Sequence, residues 1–318
     1  MMRKKILWFA VVLVAVCACN IDEEITIDNP LSKLPNYRAK TESSCADCNK
    51  VYEYTPAPGQ FINDTKIGGF DGTQTTPQAA AAYAEKRLQA NTFVSLGGFG
   101  GYIVVGFDHS IDNREDYDFA VVGNSYSGSS EPGIVWVMQD ENSDGLPNDS
   151  WYELKGSETG KTSTKQNYSV TYHRPAEPQM SVQWSDSEGN QGEIDYLQSY
   201  HNQDYYYPAW ISEDAYTLRG TCLEARNHDV SGNGTNWIQE EYDWGYADNF
   251  SPTDRTATDN SRTNRFDISN AIDSSGEPVE LEFIDFVKVQ TAVNAKSGWI
   301  GELSTEVIGF YDYSMKQE

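Results

Sequence analysis

Asp140, Asn142 and Asp144 stand at alternate positions of DENSDGLPND with Gly145 behind them, the opening D-x-[DN]-x-[DN]-G of a calcium loop. Calcium takes about six to eight oxygen ligands, and three side chains plus the carbonyl of Leu146 would fill roughly half of that shell. Gly145 permits the sharp turn the loop needs. The pattern then leaves the EF-hand, because Trp151 stands where a bidentate glutamate belongs, so Asp149, or Glu153 folded back, would have to replace it. The flanks GIVWVM and WYEL read as strands. The expectation is a strand-loop-strand turn holding a structural calcium ion; the alternative is an acidic hairpin that binds nothing.

Aromatic rings offer a second kind of chemistry. Tyr200, Tyr205, Tyr206, Tyr207 and Trp210 crowd SYHNQDYYYPAW, and Trp237, Tyr242, Trp244 and Tyr246 crowd NWIQEEYDWGYADN. Ring faces with polar edges suit sugar rings or a corrin macrocycle. Tyr205, Tyr207, Trp210, Trp237, Trp244 and Tyr246 are therefore the expected ligand contacts. The competing reading is that the rings fill the core, since a strand turns successive side chains to opposite faces. Four or more of them lining one concave patch would favour capture of a ligand.

Enzymatic spacings fall short. GSETGKT, from Gly156, is one residue short of a phosphate loop, and no helix follows to lend its amides. GNSYSG misses the G-x-S-x-G elbow. His109, His173, His201 and His228 show no H-E-x-x-H spacing, and the D-x-H-x-x-G of histidine-on cobalamin binding is missing. With 48 acids in the chain, chance carboxylate pairs are common and single out no glycosidase. The chain reads as a binding protein rather than an enzyme.

The compartment is written at the N-terminus. Arg3, Lys4 and Lys5 precede an apolar run, Ile6 to Ala18, too short for the roughly 20 residues of a spanning helix. It reads as a secretory signal. Val16-Cys17-Ala18-Cys19 resembles a bacterial lipobox, with Cys19 the lipidated residue; an ordinary cleaved signal is the alternative. Asp22, Glu23 and Glu24 resemble the surface-export signal of Bacteroidetes lipoproteins, which places the protein on the outer face of an outer membrane. Of the remaining cysteines, Cys45 and Cys48 form a CxxC without the second pair of a zinc ribbon. In an oxidising compartment a disulfide is expected, either local or from one of these to Cys222. Removing residues 1–18 takes three of 23 basic side chains and none of 48 acidic ones, for a net charge of −28. Such a surface repels nucleic acid and anionic headgroups.

The elements that must position these groups are mainly strands. Residues 19–50 read as a tether, mixing Pro, Ser and charge without periodicity. TPQAAAAYAEKRLQAN predicts one helix, capped by Thr76 with Pro77 in its first turn. Beyond it, short alternating runs from GYIVVGFD to STEVIGFYDY are separated by Gly, Asn, Asp and Pro, the habit of an antiparallel sandwich. Between about 186 and 265 the alternation weakens, and a long aromatic-rich insertion is expected there. Forty aromatic residues predict a large packed core over residues 51–318.

SLGGFGGYIVVGFDHSIDN, DFAVVGNSYSGSSEPGIVWVMQDEN, WYELKGSE, FDISNAID and IDFVKVQTAVNAKSGWIGELSTEVIGF together resemble a family of Bacteroidetes cell-surface lipoproteins described as cell-surface or PKD-domain proteins. The likeness runs from Val51 to Tyr313. It implies a jelly-roll-like β-sandwich and a place beside outer-membrane uptake systems, including those for vitamin B12, with a TonB-dependent transporter as partner. The resemblance implies no catalytic residues. It makes cobalamin the first expected ligand and a glycan the second, with an adhesive surface module as the reading of a different class.

Overall fold

The computed structural model describes residues 29–256 and 262–316. Cys19 and the acids at 22–24 lie outside them. The fold is mainly β, with several antiparallel sheets and one α-helix, and no helix among the described residues is long and apolar enough to cross a membrane.

The largest sheet has six strands, numbered in chain order along the molecule: β1 (Lys50–Thr55), β3 (Tyr102–Asp112), β15 (Phe283–Thr291), β5 (Gly133–Met138), β6 (Trp151–Leu154) and β14 (Ala271–Ile272), in that spatial order. Register sets Val51, Val105, Val287 and Val137 side by side across four strands. All four are buried in the main core, where each contributes about 1.5–3 kcal/mol on burial. The opposite face carries Glu53, Val104, Lys288, Trp136 and Glu153 in the neighbouring row.

A second sheet of four strands, β10 (Ala215–Cys222), β7 (Lys165–His173), β8 (Val182–Asp186) and β9 (Gln191–Ile194), supplies Leu218, Val170, Tyr172, Val182 and Ile194 to the same core. A third, of β13 (Thr263–Phe266), β4 (Phe119–Val122) and β17 (Gly309–Asp312), adds Phe266, Phe119, Val121 and Phe310. Two short pairs complete the set: β16 (Glu306–Val307) on β2 (Val94–Ser95), and β11 (Asn227–Asp229) on β12 (Trp237–Gln239). The helix, α1 (Pro77–Gln89), starts where the sequence places it: the Thr76 hydroxyl accepts from the Ala79 amide at 3.1 Å, and Ala80, Ala84 and Leu88 face the core.

The stretch 186–265 lies mostly outside strands, yet it holds β9 to β12, and β10 pairs with β7 along nearly its whole length. That strand is hard to read because Gly220 replaces an inward side chain; a Cβ there would lie 2.0 Å from the Gln290 Oε1, which fills the space. The described part of the expected tether, from residue 29 to 50, is docked on the body. Tyr37 donates to Asp112 at 2.7 Å, Arg38 pairs with the buried Asp285 at 2.9 Å, and Lys40 with the buried Asp312 at 2.7 Å. Charge read as linker solvation is used for buried pairing.

Candidate functional site

The loop that follows β4, the hairpin β11–β12, the extended run leading into β16 and the turn Gly298–Ile300 surround a cleft of about 550 Å³. Among the described residues only three large aromatic side chains are well exposed, Tyr126, Tyr200 and Trp299, at 61%, 59% and 49%. All three line this cleft. Tyr200 and Trp299 lean together with ring centroids 5.9 Å apart, and the half-buried Trp237 and Phe61 extend the wall. Trp237 is seated by two contacts: its indole N–H donates to the Gly234 carbonyl at 3.2 Å, and its ring lies against Gly298, where a Cβ would fall 2.5 Å from its Nε1. His201, at the edge, is held by Asp64 at 3.1 Å.

Carboxylates form the floor. Glu131, Asp248 and Glu306 offer oxygens that all lie within 4.8 Å of one another, the only such trio of His, Cys, Asp or Glu among the described residues. Asp248 is fixed by the backbone: Oδ1 accepts from the amides of Asn124 and Ser125 at 2.7 and 2.8 Å, and Oδ2 from that of Glu306 at 2.9 Å. Ser304 donates its hydroxyl to Glu306 Oε1 at 2.5 Å and its amide to Glu131 Oε1 at 3.4 Å, so the two acids share a neighbour. Burial first, and mutual repulsion second, hold Glu131 and Asp248 well above the usual carboxylate range; Glu306 is raised by burial too. Beside them Glu302, 2% exposed, is pushed up to about 8 by burial. Its Oε1 accepts from the Gln60 amide at 2.7 Å, and its Oε2 has no partner. Among the described residues no Lys, Arg or His pairs with any of these four acids. Chemically the trio can share protons or receive a cation.

The expected calcium loop folds upon itself. Asp140 accepts from the amides of Asp144 and Gly145 at 3.2 and 2.9 Å, and Asn142 from that of Asp144 at 2.8 Å. Asp144 accepts from the Leu146 amide at 2.8 Å, and Asp149 from that of Glu141 at 3.0 Å. The Leu146 carbonyl takes the Asn148 amide at 2.9 Å. Asp140, Asp144 and Asp149 thus each accept an amide of the loop itself. Glu153 does not fold back: it sits in β6, bonded to the Thr221 hydroxyl at 2.5 Å.

Of the expected ring contacts, Trp237 lines the cleft, joined by Tyr200 from the same stretch. Tyr207, Trp210 and Tyr246 are core residues, packed respectively on Tyr216, Tyr54 and Tyr242. Tyr205 is half-buried, and Trp244 lines a separate cleft of about 250 Å³ beside Asp254 and Arg265. One of the six expected ring contacts, rather than four, thus lines this concave patch, and Tyr200, Phe61, Tyr126 and Trp299 supply the rest. Cys45, Cys48 and Cys222 are free thiols; Cys222 is buried in β10, and burial pushes it up to about 11. His109 is buried between Asp108 and Asp312, at 2.6 and 3.0 Å.

Sequence reasoning missed Glu131, Asp248 and Glu306, which come from three separate segments and have no local spacing to give them away. No family model matches the chain, and no curated protein matches it in sequence.

Proposed function

We propose that this chain is a lipid-anchored surface protein that captures a small saccharide in the ring-lined cleft for uptake through an outer-membrane transporter. The observation that carries this reading is the convergence of all three exposed large aromatic residues on one cleft. Solvent-facing rings are costly unless something covers them, and sugar C–H faces stack on such rings while amide and hydroxyl groups like those of Gln60, Asn124 and Gln239 meet sugar hydroxyls. A volume of about 550 Å³ lies inside the roughly 300–1,000 Å³ range of small-molecule pockets. The hydroxyl- and amide-bearing groups beside the rings put a saccharide, the second of the two expected ligands, first. The jelly-roll-like arrangement of the sheets and the partner transporter belong to the same proposal.

Calorimetric titration of the full chain with mono- and disaccharides and with cobalamin tests it. Saccharide binding is expected, weakened about tenfold by Trp299→Ala, the scale of one lost ring contact. Binding of cobalamin alone, or saccharide binding indifferent to Trp299→Ala and Tyr126→Ala, would overturn the reading.

A further inference from the structure

The cleft pairs exposed ring faces with buried acids and has no Lys or Arg in its lining. Aromatic faces carry negative electrostatic potential and attract cations, so wall and floor favour the same sign of charge. The floor is short of a counter-charge. Along the extended run 302–306, alternation turns Glu302, Ser304 and Glu306 to one side, where the unpartnered Oε2 of Glu302 is buried within electrostatic reach of Glu306. Ser125, 2% exposed and tied by its amide to Asp248, has a hydroxyl with no partner. Buried polar atoms left unpaired are rare in finished sites, and both flank the same three acids.

We infer that the captured saccharide carries an ammonium group, which enters between the rings and replaces the proton shared by Glu131 and Glu306. This rests on the saccharide reading above. A bare divalent metal fits less well, for two reasons. Asp248 already spends its oxygens on three backbone amides, so little of its coordination capacity is left. Metal coordination would also leave the exposed rings without a role. Glu131 is the half-buried member and so the one a ligand meets first; Glu306 lies behind it. The exchange balances: the ligand arrives as R–NH₃⁺, the Glu131–Glu306 proton leaves to solvent, and the ammonium donates to the two carboxylates. The other ionisable groups facing the trio are Asp248 and Glu302, Tyr54 of β1, which feels Glu306, and His201 with its Asp64 at the rim.

The test is calorimetry on the full chain at pH 6.5 with glucosamine, 6-amino-6-deoxyglucose, N-acetylglucosamine and glucose, and with calcium chloride alone, in two buffers of different ionisation heat. The expected result is an amino sugar bound at least about tenfold more tightly than glucose or N-acetylglucosamine, with net proton release. Glu131→Gln, which keeps the shape of the side chain, should abolish that preference and the proton release. Equal affinity for charged and neutral sugars, or amine binding without proton release, would overturn the charge inference and leave saccharide capture standing. Silence toward every sugar would overturn both. Calcium bound alone, sensitive to Glu131→Gln and with no amine preference, would assign the trio to a metal and overturn the inference.

Discussion

Glu302 shows how much a single buried acid can cost. Burial raises it from the ordinary 4.5 to about 8, so between those values the folded chain holds a proton that the unfolded chain has released. A raised carboxyl therefore subtracts stability as pH climbs from about 4.5 to 8 and has no such effect below. Glu302→Gln keeps an oxygen for the Gln60 amide and removes the penalty. The variant should gain on wild type by a few kcal/mol on going from pH 5 to pH 8, at about 1.4 kcal/mol for each tenfold change in proton affinity. Urea melts at the two pH values check this; an equal difference at both would mean that Glu302 ionises normally. Glu153 behaves alike, raised by burial to about 7. The Thr221 hydroxyl lies 2.5 Å from Glu153 and 3.0 Å from Gln166 Oε1, and one hydroxyl proton cannot serve both acceptors. A protonated Glu153 donating to Thr221 completes the chain. None of this was legible in the sequence, where a buried acid looks like any other of the 48. The turn acids are more readable: Asp140, Asp186, Asp229 and Asp273 each stand two to five residues before amides that they accept from, the habit that makes Asp a loop residue.

At the scale of elements, the helix and the strands of the six-stranded sheet follow from capping and alternation, because those signals are local. The hairpin β11–β12 does not. Its loop, DVSGNGTN, has Asp, a polar residue and Asn at alternate positions before Gly234, as the 140–145 loop has Asp, Asn and Asp before Gly145, and Asp229 accepts from the Gly234 amide at 2.6 Å and is held down at about 2 by its Ser231 and Gly234 hydrogen bonds. That loop delivers Trp237 to the cleft, and the opposing turn is shaped for it. Gly298 has φ +53°, a left-handed value that costs other residues about 1–2 kcal/mol, and a Cβ would strike the indole. Gly298→Ala should lower the melting temperature by a few degrees and weaken saccharide binding more than Gly309→Ala, at a position where a Cβ meets nothing within 4 Å. Equal effects of the two substitutions would separate the turn from the site. Most of the rings of 186–265 close the core, while the exposed ones are split between this stretch and distant loops that only the folded chain brings together.

For the whole molecule, the strong negative charge is partly internal: Asp285 and Asp312 anchor Arg38 and Lys40, and the cleft acids are sequestered. In the proposed reading, location is decided by residues outside the described ones. Cys19→Ala should move the protein from the membrane to the soluble fraction, and Asp22, Glu23 and Glu24 changed together to Ala should leave it lipidated but shielded from protease added to whole cells. Fractionation and protease accessibility read the two steps separately, and a Cys19→Ala protein that stays with the membrane would remove the anchor. The docking of residues 29–50 sets a mechanical limit on such an anchored protein. Only nine residues, ten Cα-to-Cα steps, separate Cys19 from Asn29, a mooring line of at most about 36 Å at full stretch. A body of this length measures roughly 50 Å across, so it could not swing clear of its own width from the lipid surface. Its search for a transporter would be a lateral one, two bodies drifting in the same plane, and the direction in which the cleft opens would be set by where the line is made fast.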